Sequence, residues 1–166
     1  LSIDHHHHWI IPKGCSINDA IGFIYAIINT VTGQTYYGRK QFVKFKRRRM
    51  LPDKSWRFYK GSSRLVHIDI ERYGLDKFQF HIIATFSSKT GMALGESTAI
   101  ICSGCLEEPE KYYNRSAPSI RGSLSLNRRD ANEIQRIRRF INGRKKELRE
   151  HARRHLETEG ACSPDE

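Results

Sequence analysis

The chain has 166 residues and a mass of 19.3 kDa, with 29 Lys and Arg against 18 Asp and Glu and a formal net charge of +11. That length fits one domain with some tail and excludes a multidomain machine, while 38% hydrophobic and 10% aromatic content exclude wholesale disorder. No apolar run approaches the roughly 20 residues of a membrane span, and no charged, apolar and small-residue leader pattern marks the chain for secretion.

In chain order, residues 1–20 are expected to form a partly flexible N-terminal segment. The run His5 to His8 is set aside from any site as a tag remnant or a solvated terminus. Phe23 to Ile28 is a β-branched and aromatic run that predicts a strand, Asn29 to Gly33 has turn chemistry, and Gln34 to Gly38 predicts a second strand. Together they make an antiparallel hairpin. Seven basic residues and no acid follow between Arg39 and Arg49, interleaved and flanked by Phe42, Phe45, Trp56, Phe58 and Tyr59. This stretch is expected to be helical until Leu51-Pro52 interrupts it, and basic residues mixed with aromatics suit a phosphate-binding surface.

Ser62-Ser63 offers an N-cap for a helix through Leu65, Val66, Ile68, Ile70 and Tyr73, stopped by Gly74. Alternation over Lys77 to Phe86 predicts a third strand. Lys89 to Cys105 reads as a helix weakened by Gly91 and Gly95, in which Glu96 lies four residues after Met92 and four before Ile100. That spacing sets a carboxylate on or beside the buried face, where an acid is costly unless paired, hydrogen-bonded or bound to a metal. His67 and His81 are expected in structural or solvent-facing roles. The lone Cys102-x-x-Cys105 pair lacks matching zinc ligands and reads as free thiols in a reducing cytoplasm.

Asn127 to Leu156 predicts one or two helices with apolar stripes at Ile134, Ile137, Ile141 and Leu148, Ala152, Leu156, with a break at Asn142-Gly143. Between Arg128 and Arg154 there are eleven Lys and Arg against four acids, and the last stretch reverses sign. With a sequence pI near 9.8, the expected partner is a polyanion, nucleic acid ahead of an acidic membrane surface.

Gly22-Phe23-Ile24-Tyr25, ten residues, and Tyr36-Tyr37-Gly38 resemble the paired motif of the GIY-YIG nucleases, with an extra Phe in the first half and Tyr for Ile in the second. The likeness continues through Trp56-Arg57-Phe58-Tyr59-Lys60-Gly61-Ser62-Ser63, which is similar to phage-type members including Seg-like homing endonucleases. It then runs through the acid at Glu96 to Tyr112-Tyr113-Asn114, covering roughly Gly22 to Ser116. The resemblance implies an α/β fold, a small and mainly antiparallel three-stranded sheet flanked by helices, with a basic helical C-terminal extension. The expected organisation is a nuclease core over 21–122, the extension over 123–156 and an acidic flexible tail over 157–166.

Phosphodiester hydrolysis needs an activated nucleophile, shielding of phosphate charge and stabilisation of the leaving oxygen. Two tyrosines on paired strands can reach one point, and a cationic surrounding favours a phenolate. The resemblance then implies Tyr25 as general base or water-orienting group, Tyr36 positioning water or phosphate, and Glu96 as the single carboxylate ligand of Mg2+ or Mn2+. It also implies an Arg on the scissile phosphate. Lys46 stands at the family's offset and Arg47 one later; Arg47 is favoured, with Arg39, Lys40 and Arg48 as nearby DNA contacts. Asn114 would stiffen the site by hydrogen bonding. In the extension, Arg139, Arg144, Lys145 and Arg149 are expected to meet phosphates of double-stranded DNA, or else its stripes pair two copies as a homodimer. The function so implied is a cytoplasmic, metal-dependent DNA endonuclease of phage or mobile-element homing type, with no membrane partner. The alternatives are a non-catalytic nucleic-acid-binding module, a restriction endonuclease of the same fold and a structural RNA-binding protein.

Overall fold

The structure is a computed structural model that describes residues 4–6, 8–46, 49–118 and 125–160. Its centre is β3 (Gly22–Asn29), in which all eight residues are buried, as a strand covered on both faces requires. On one side β3 pairs antiparallel with β4 (Thr35–Gln41), setting Tyr25 opposite Gly38 and Ile27 opposite Tyr36. The expected hairpin is present: Asn29 accepts from the Val31 N–H through its side chain at 2.9 Å, and Gly33 closes the turn at φ +77°.

On its other side β3 pairs antiparallel with β7 (Phe78–Phe86), across an irregularity between Ile24 and Tyr25. The sheet does not stop at three strands. β2 (Trp9–Ile11) runs parallel to β7 and β1 (Asp4–His6) antiparallel to β2, giving five strands in the order β1-β2-β7-β3-β4. The N-terminal segment therefore belongs to the sheet from its first described strand. Trp9 is fully buried and donates from its indole to the Trp56 carbonyl at 2.9 Å.

The basic stretch is a second correction. In place of a helix it forms a separate two-stranded ribbon, β5 (Val43–Lys46) and β6 (Arg49–Pro52). Val43 and Phe45 alternate with Lys44 and Lys46, a period of two that suits a strand and not a helix.

α1 (Arg64–Tyr73) begins where expected, with Ser63 as N-cap, and ends at Gly74 in a positive-φ conformation. α2 (Lys89–Ser103) is capped by Ser88 and Gly104. Its Gly91 packs so tightly on the Asp130 carboxyl that a Cβ would collide with it, which explains a glycine in an otherwise sound helix.

α3 (Arg128–Gly160) runs unbroken through Asn142-Gly143, where a Cβ on Gly143 would stand in open space, while Ile141 and Leu148 anchor the turns around it. The helix also extends through 157–160, part of the segment expected to be a flexible tail; 161–166 lie outside the described residues. Ile134, Ile137 and Ile141 are nearly inaccessible and share one core with Ile24, Phe86 and Met92. The basic helical extension thus packs as a layer of the fold. Arg129 and Arg136 reinforce it by donating to the carbonyls of Asp19 and Gly14 at 2.9 and 3.3 Å.

Candidate active site

The two faces of the sheet carry different halves of the site, and β4, its edge strand, joins them. Alternation along β4 sends Tyr36 and Gly38 to the α1 face and Tyr37 and Arg39 to the α2 face. Tyr25 shares the α1 face with Tyr36, their ring centroids 6.1 Å apart. Gly38 sits under the Tyr25 ring: a Cβ there would lie 2.5 Å from its hydroxyl oxygen. The glycine of the second half-motif therefore makes room for the tyrosine of the first.

On the opposite face, α2 brings Glu96 to the same edge, where Arg39 Nε meets Glu96 Oε2 at 3.0 Å. Tyr36 and Glu96 line one cleft of about 420 Å3 together with Ser63, Arg64, Asn114 and Arg115. Asn114 is buried and clasps the edge of β4: its carbonyl oxygen accepts from the Tyr37 N–H at 2.8 Å and its amide donates to the Tyr37 carbonyl at 2.9 Å. It acts as a short substitute strand, with Thr35 bridged to Tyr112 just before it. The Tyr36 hydroxyl shares a hydrogen bond with Ser62 at 3.2 Å, tying β4 to the start of α1.

Electrostatics alter one expectation. Burial pushes the Tyr25 phenol far above the ordinary tyrosine range, and the neighbouring phenols Tyr36 and Tyr59 and the Glu96 carboxylate push the same way. Tyr36 is also raised, chiefly by burial. The nearby cations do not offset this. Arg39 is engaged by Glu96, and Lys40 sits over the Tyr59 ring at 4.5 Å. Tyr25 is therefore held further from its phenolate than an ordinary tyrosine. Glu96 is raised as well, by burial against the opposing pull of Arg39.

Among the described residues no three His, Cys, Asp or Glu gather as a cage for a metal. A cation that keeps several waters and borrows substrate oxygens needs no cage, and one carboxylate on a cleft wall, desolvated yet ionisable, fits that requirement. Glu96 is that carboxylate.

Other expected site residues fall elsewhere. Arg47 and Arg48 lie outside the described residues, and Lys46 is exposed on the ribbon. Arg144 is drawn inward, its side chain 13% exposed, donating to the Gly33 carbonyl at 2.9 Å and to Thr35 Oγ1 at 3.3 Å, and so buttresses the hairpin. Arg139 borders a hollow beside His81, and Lys145 and Arg149 border another that includes Glu107 and Glu108. None of the three lines the Tyr36–Glu96 cleft. Conversely, Tyr59, Arg64 and Arg115 belong to the site region and were not singled out from sequence. Tyr59 packs edge-on to Tyr25 with centroids 6.0 Å apart and stood in the motif stretch already noted. Arg64 follows the helix-capping Ser63 directly, but only the cleft gives that position meaning.

No curated protein and no solved structure matches the chain significantly. A family model described as "Putative endonuclease segE, GIY-YIG domain" matches residues 9–117. The match begins at Trp9, so it takes in β2 along with the hairpin, α1, β7, α2 and the Asn114 clasp, and stops before α3. Covering most of a 166-residue chain, and containing the two tyrosines, the arginine and the glutamate that meet at the edge of β4, it establishes that the chain belongs to the GIY-YIG nuclease family, of the Seg-like type.

Proposed function

We propose that the protein is a DNA endonuclease that hydrolyses phosphodiester bonds with one divalent cation, Mg2+ or Mn2+, and that it works as a homing-type enzyme of a phage or mobile element. The observation that carries this reading is the convergence of Tyr36, Arg39 and Glu96 on one edge strand, with Tyr25 directly behind. Glu96 would hold the cation, which when bound supplies charge shielding to the phosphate and lowers the pKa of water.

The chain's own groups divide the remaining work. The neutral Tyr25 hydroxyl orients the attacking water, and Tyr36, steadied by Ser62, directs water or a phosphate oxygen from the cleft side. Arg39 offers its guanidinium to the scissile phosphate once Glu96 is engaged elsewhere, while Arg64 and Arg115 add positive charge to the cleft wall. Asn114 keeps β4 in register with the rest of the site. Arg139 and Arg149, exposed on α3, extend the phosphate-binding surface away from the chemistry.

The direct test is incubation of supercoiled plasmid with the full chain and Mg2+ or Mn2+, beside Glu96→Gln. Metal-dependent nicking or linearisation lost in Glu96→Gln is the expected result. Cleavage that survives the substitution removes Glu96 from the mechanism, and binding without any cleavage replaces the enzyme with a nucleic-acid-binding module.

A further inference from the structure

We propose that the β5–β6 ribbon reads DNA from the major groove beside the cut. Its position relative to the cut rests on the nuclease reading; its contact with DNA stands on the ribbon's own chemistry.

Opposed residues of an antiparallel pair share a face. The register Lys44↔Leu51 and Lys46↔Arg49 gathers three cations and one leucine on one side of the ribbon. Val43, Met50 and Pro52 occupy the other side and border a hollow of about 300 Å3 with Asn18, Asp19 and Ile21. The apolar face therefore looks back toward the body and the basic face looks outward. Every residue of β6 is exposed, Met50 at 57% and Leu51 at 44%. A lone two-stranded hairpin is marginal in water, and this one is secured at its root. Phe42 is buried and stacked on Phe23 at 4.7 Å, the Asp53 N–H donates to the Phe42 carbonyl at 2.7 Å, and the Asp53 carboxylate pairs with Lys44 at 3.2 Å. The root is fixed while the blade projects.

Shape and charge select the partner. A two-stranded ribbon enters a major groove about 12 Å wide and is too thick for a minor groove of about 6 Å. Its outward cations match a polyanion, and the sequence adds Arg47 and Arg48 to the same stretch. β4 leads into β5 through Phe42 alone, so the ribbon is tethered to the site. At about 3.3 Å per residue, Lys46 lies no more than about 23 Å from Arg39, or about seven base-pair steps. The bases it contacts lie within that distance of the cut.

Because Phe42 and Asp53 adjoin, Asn-Gly in place of residues 43–52 closes the chain and takes from the core only the half-buried Val43 at its margin. Binding to a mixed-sequence duplex is measured over a salt range in the full chain carrying Glu96→Gln, so that cleavage does not intervene. It is compared with the same protein lacking the ribbon and with the double variant Lys46→Glu, Arg49→Glu, whose substituted positions are exposed. Both changes are expected to weaken binding by about tenfold or more, and the slope of log K against log salt is expected to flatten by about 2 in the double variant and by more in the deletion. Methylation of guanine N7 within seven base pairs of the cut is expected to interfere with the intact ribbon and not with the deletion. Unchanged affinity and slope in the double variant overturn the proposal, as does interference confined to minor-groove adenine N3. If the ribbon variants lose binding while the unmodified chain never cleaves, the ribbon stands and the nuclease reading falls.

Discussion

Adjacent helices α2 and α3 each deliver a carboxyl group against the sheet, under opposite conditions. Asp130 of α3 is fully buried and accepts from the Ser87 N–H and hydroxyl at 2.9 and 3.0 Å, the Ser88 hydroxyl at 2.5 Å and the Asn127 amide at 3.3 Å. Glu133, one turn on, accepts from the Thr85 N–H at 2.9 Å, where β2 has ended and no longer covers the edge of β7. Glu96 of α2 has a side chain 16% exposed, engages Arg39 through one oxygen and is raised in pKa by burial. A carboxyl whose lone pairs are filled by donors fastens elements together. One that is desolvated without being saturated keeps its capacity for a cation that arrives with the substrate.

That contrast breaks first at Glu96. Glu96→Gln is expected to lower cleavage by at least about 10³-fold, since a lost metal ligand forfeits several kcal/mol of transition-state stabilisation. Its urea midpoint at neutral pH is expected to equal or exceed that of the unsubstituted chain, because folding no longer carries a buried ionised group whose pKa burial has raised. Asp130→Ala is expected to do the reverse. It orphans donors on Ser87, Ser88 and Asn127 and costs about 3 kcal/mol or more in urea unfolding. Comparable destabilisation by both substitutions erases the distinction.

A second pair sharpens it. Tyr25 and Tyr37 are both buried phenols raised by burial, but on opposite faces of the sheet. Tyr25→Phe is expected to slow single-turnover cleavage by about 10²-fold with DNA affinity nearly unchanged. The Tyr37 hydroxyl is buried with no hydrogen-bond partner among the described residues. Tyr37→Phe therefore removes an uncompensated polar atom and is expected to leave cleavage intact and stability equal or higher. Equal cleavage rates for the two variants would place Tyr25 outside the chemistry.

Those elements were legible in sequence whose cause is local. The β3–β4 hairpin, α1, β7 and α2 follow from side-chain period and, for α1, from caps at Ser63 and Gly74, each visible in a few residues. Glu96 was legible because helical spacing set an acid beside Met92 and Ile100, and its cost demanded a partner. Which partner was not legible: Arg39 reaches Glu96 through the register of β4 and the packing of α2, a tertiary fact. The ribbon was hidden because its cations obscured the alternation of Val43 and Phe45. Trp9-Ile10-Ile11 is too short to show a period and becomes a strand only beside β7. The burial of Asp130 and Glu133 in a basic helix was invisible for the same reason, since the N–H groups of Ser87 and Thr85 that satisfy them belong to distant segments.

The smallest effect tests the structural side of the contrast. His81 lies on β7 against Phe140 of α3, ring centroids 5.8 Å apart, and shares a hydrogen bond with Gln79 at 3.2 Å. Burial lowers its pKa below the ordinary value of 6.5, and the Arg144 guanidinium lowers it further while Glu147 opposes. Above that ordinary value His81 is neutral in both folded and unfolded chains and its full contribution to stability is present. As the pH falls below 6.5 the unfolded chain takes up a proton that the folded chain refuses, so stability is lost until the folded pKa is passed. The unsubstituted chain is therefore expected to lose more thermal stability than His81→Gln between neutral and mildly acidic pH. In Arg144→Met the loss shrinks, because the neighbouring positive charge that adds to the penalty is gone. If the melting temperatures of the unsubstituted chain and His81→Gln fall in parallel across that range, α3 does not cover His81 as closely as its packing on β7 requires.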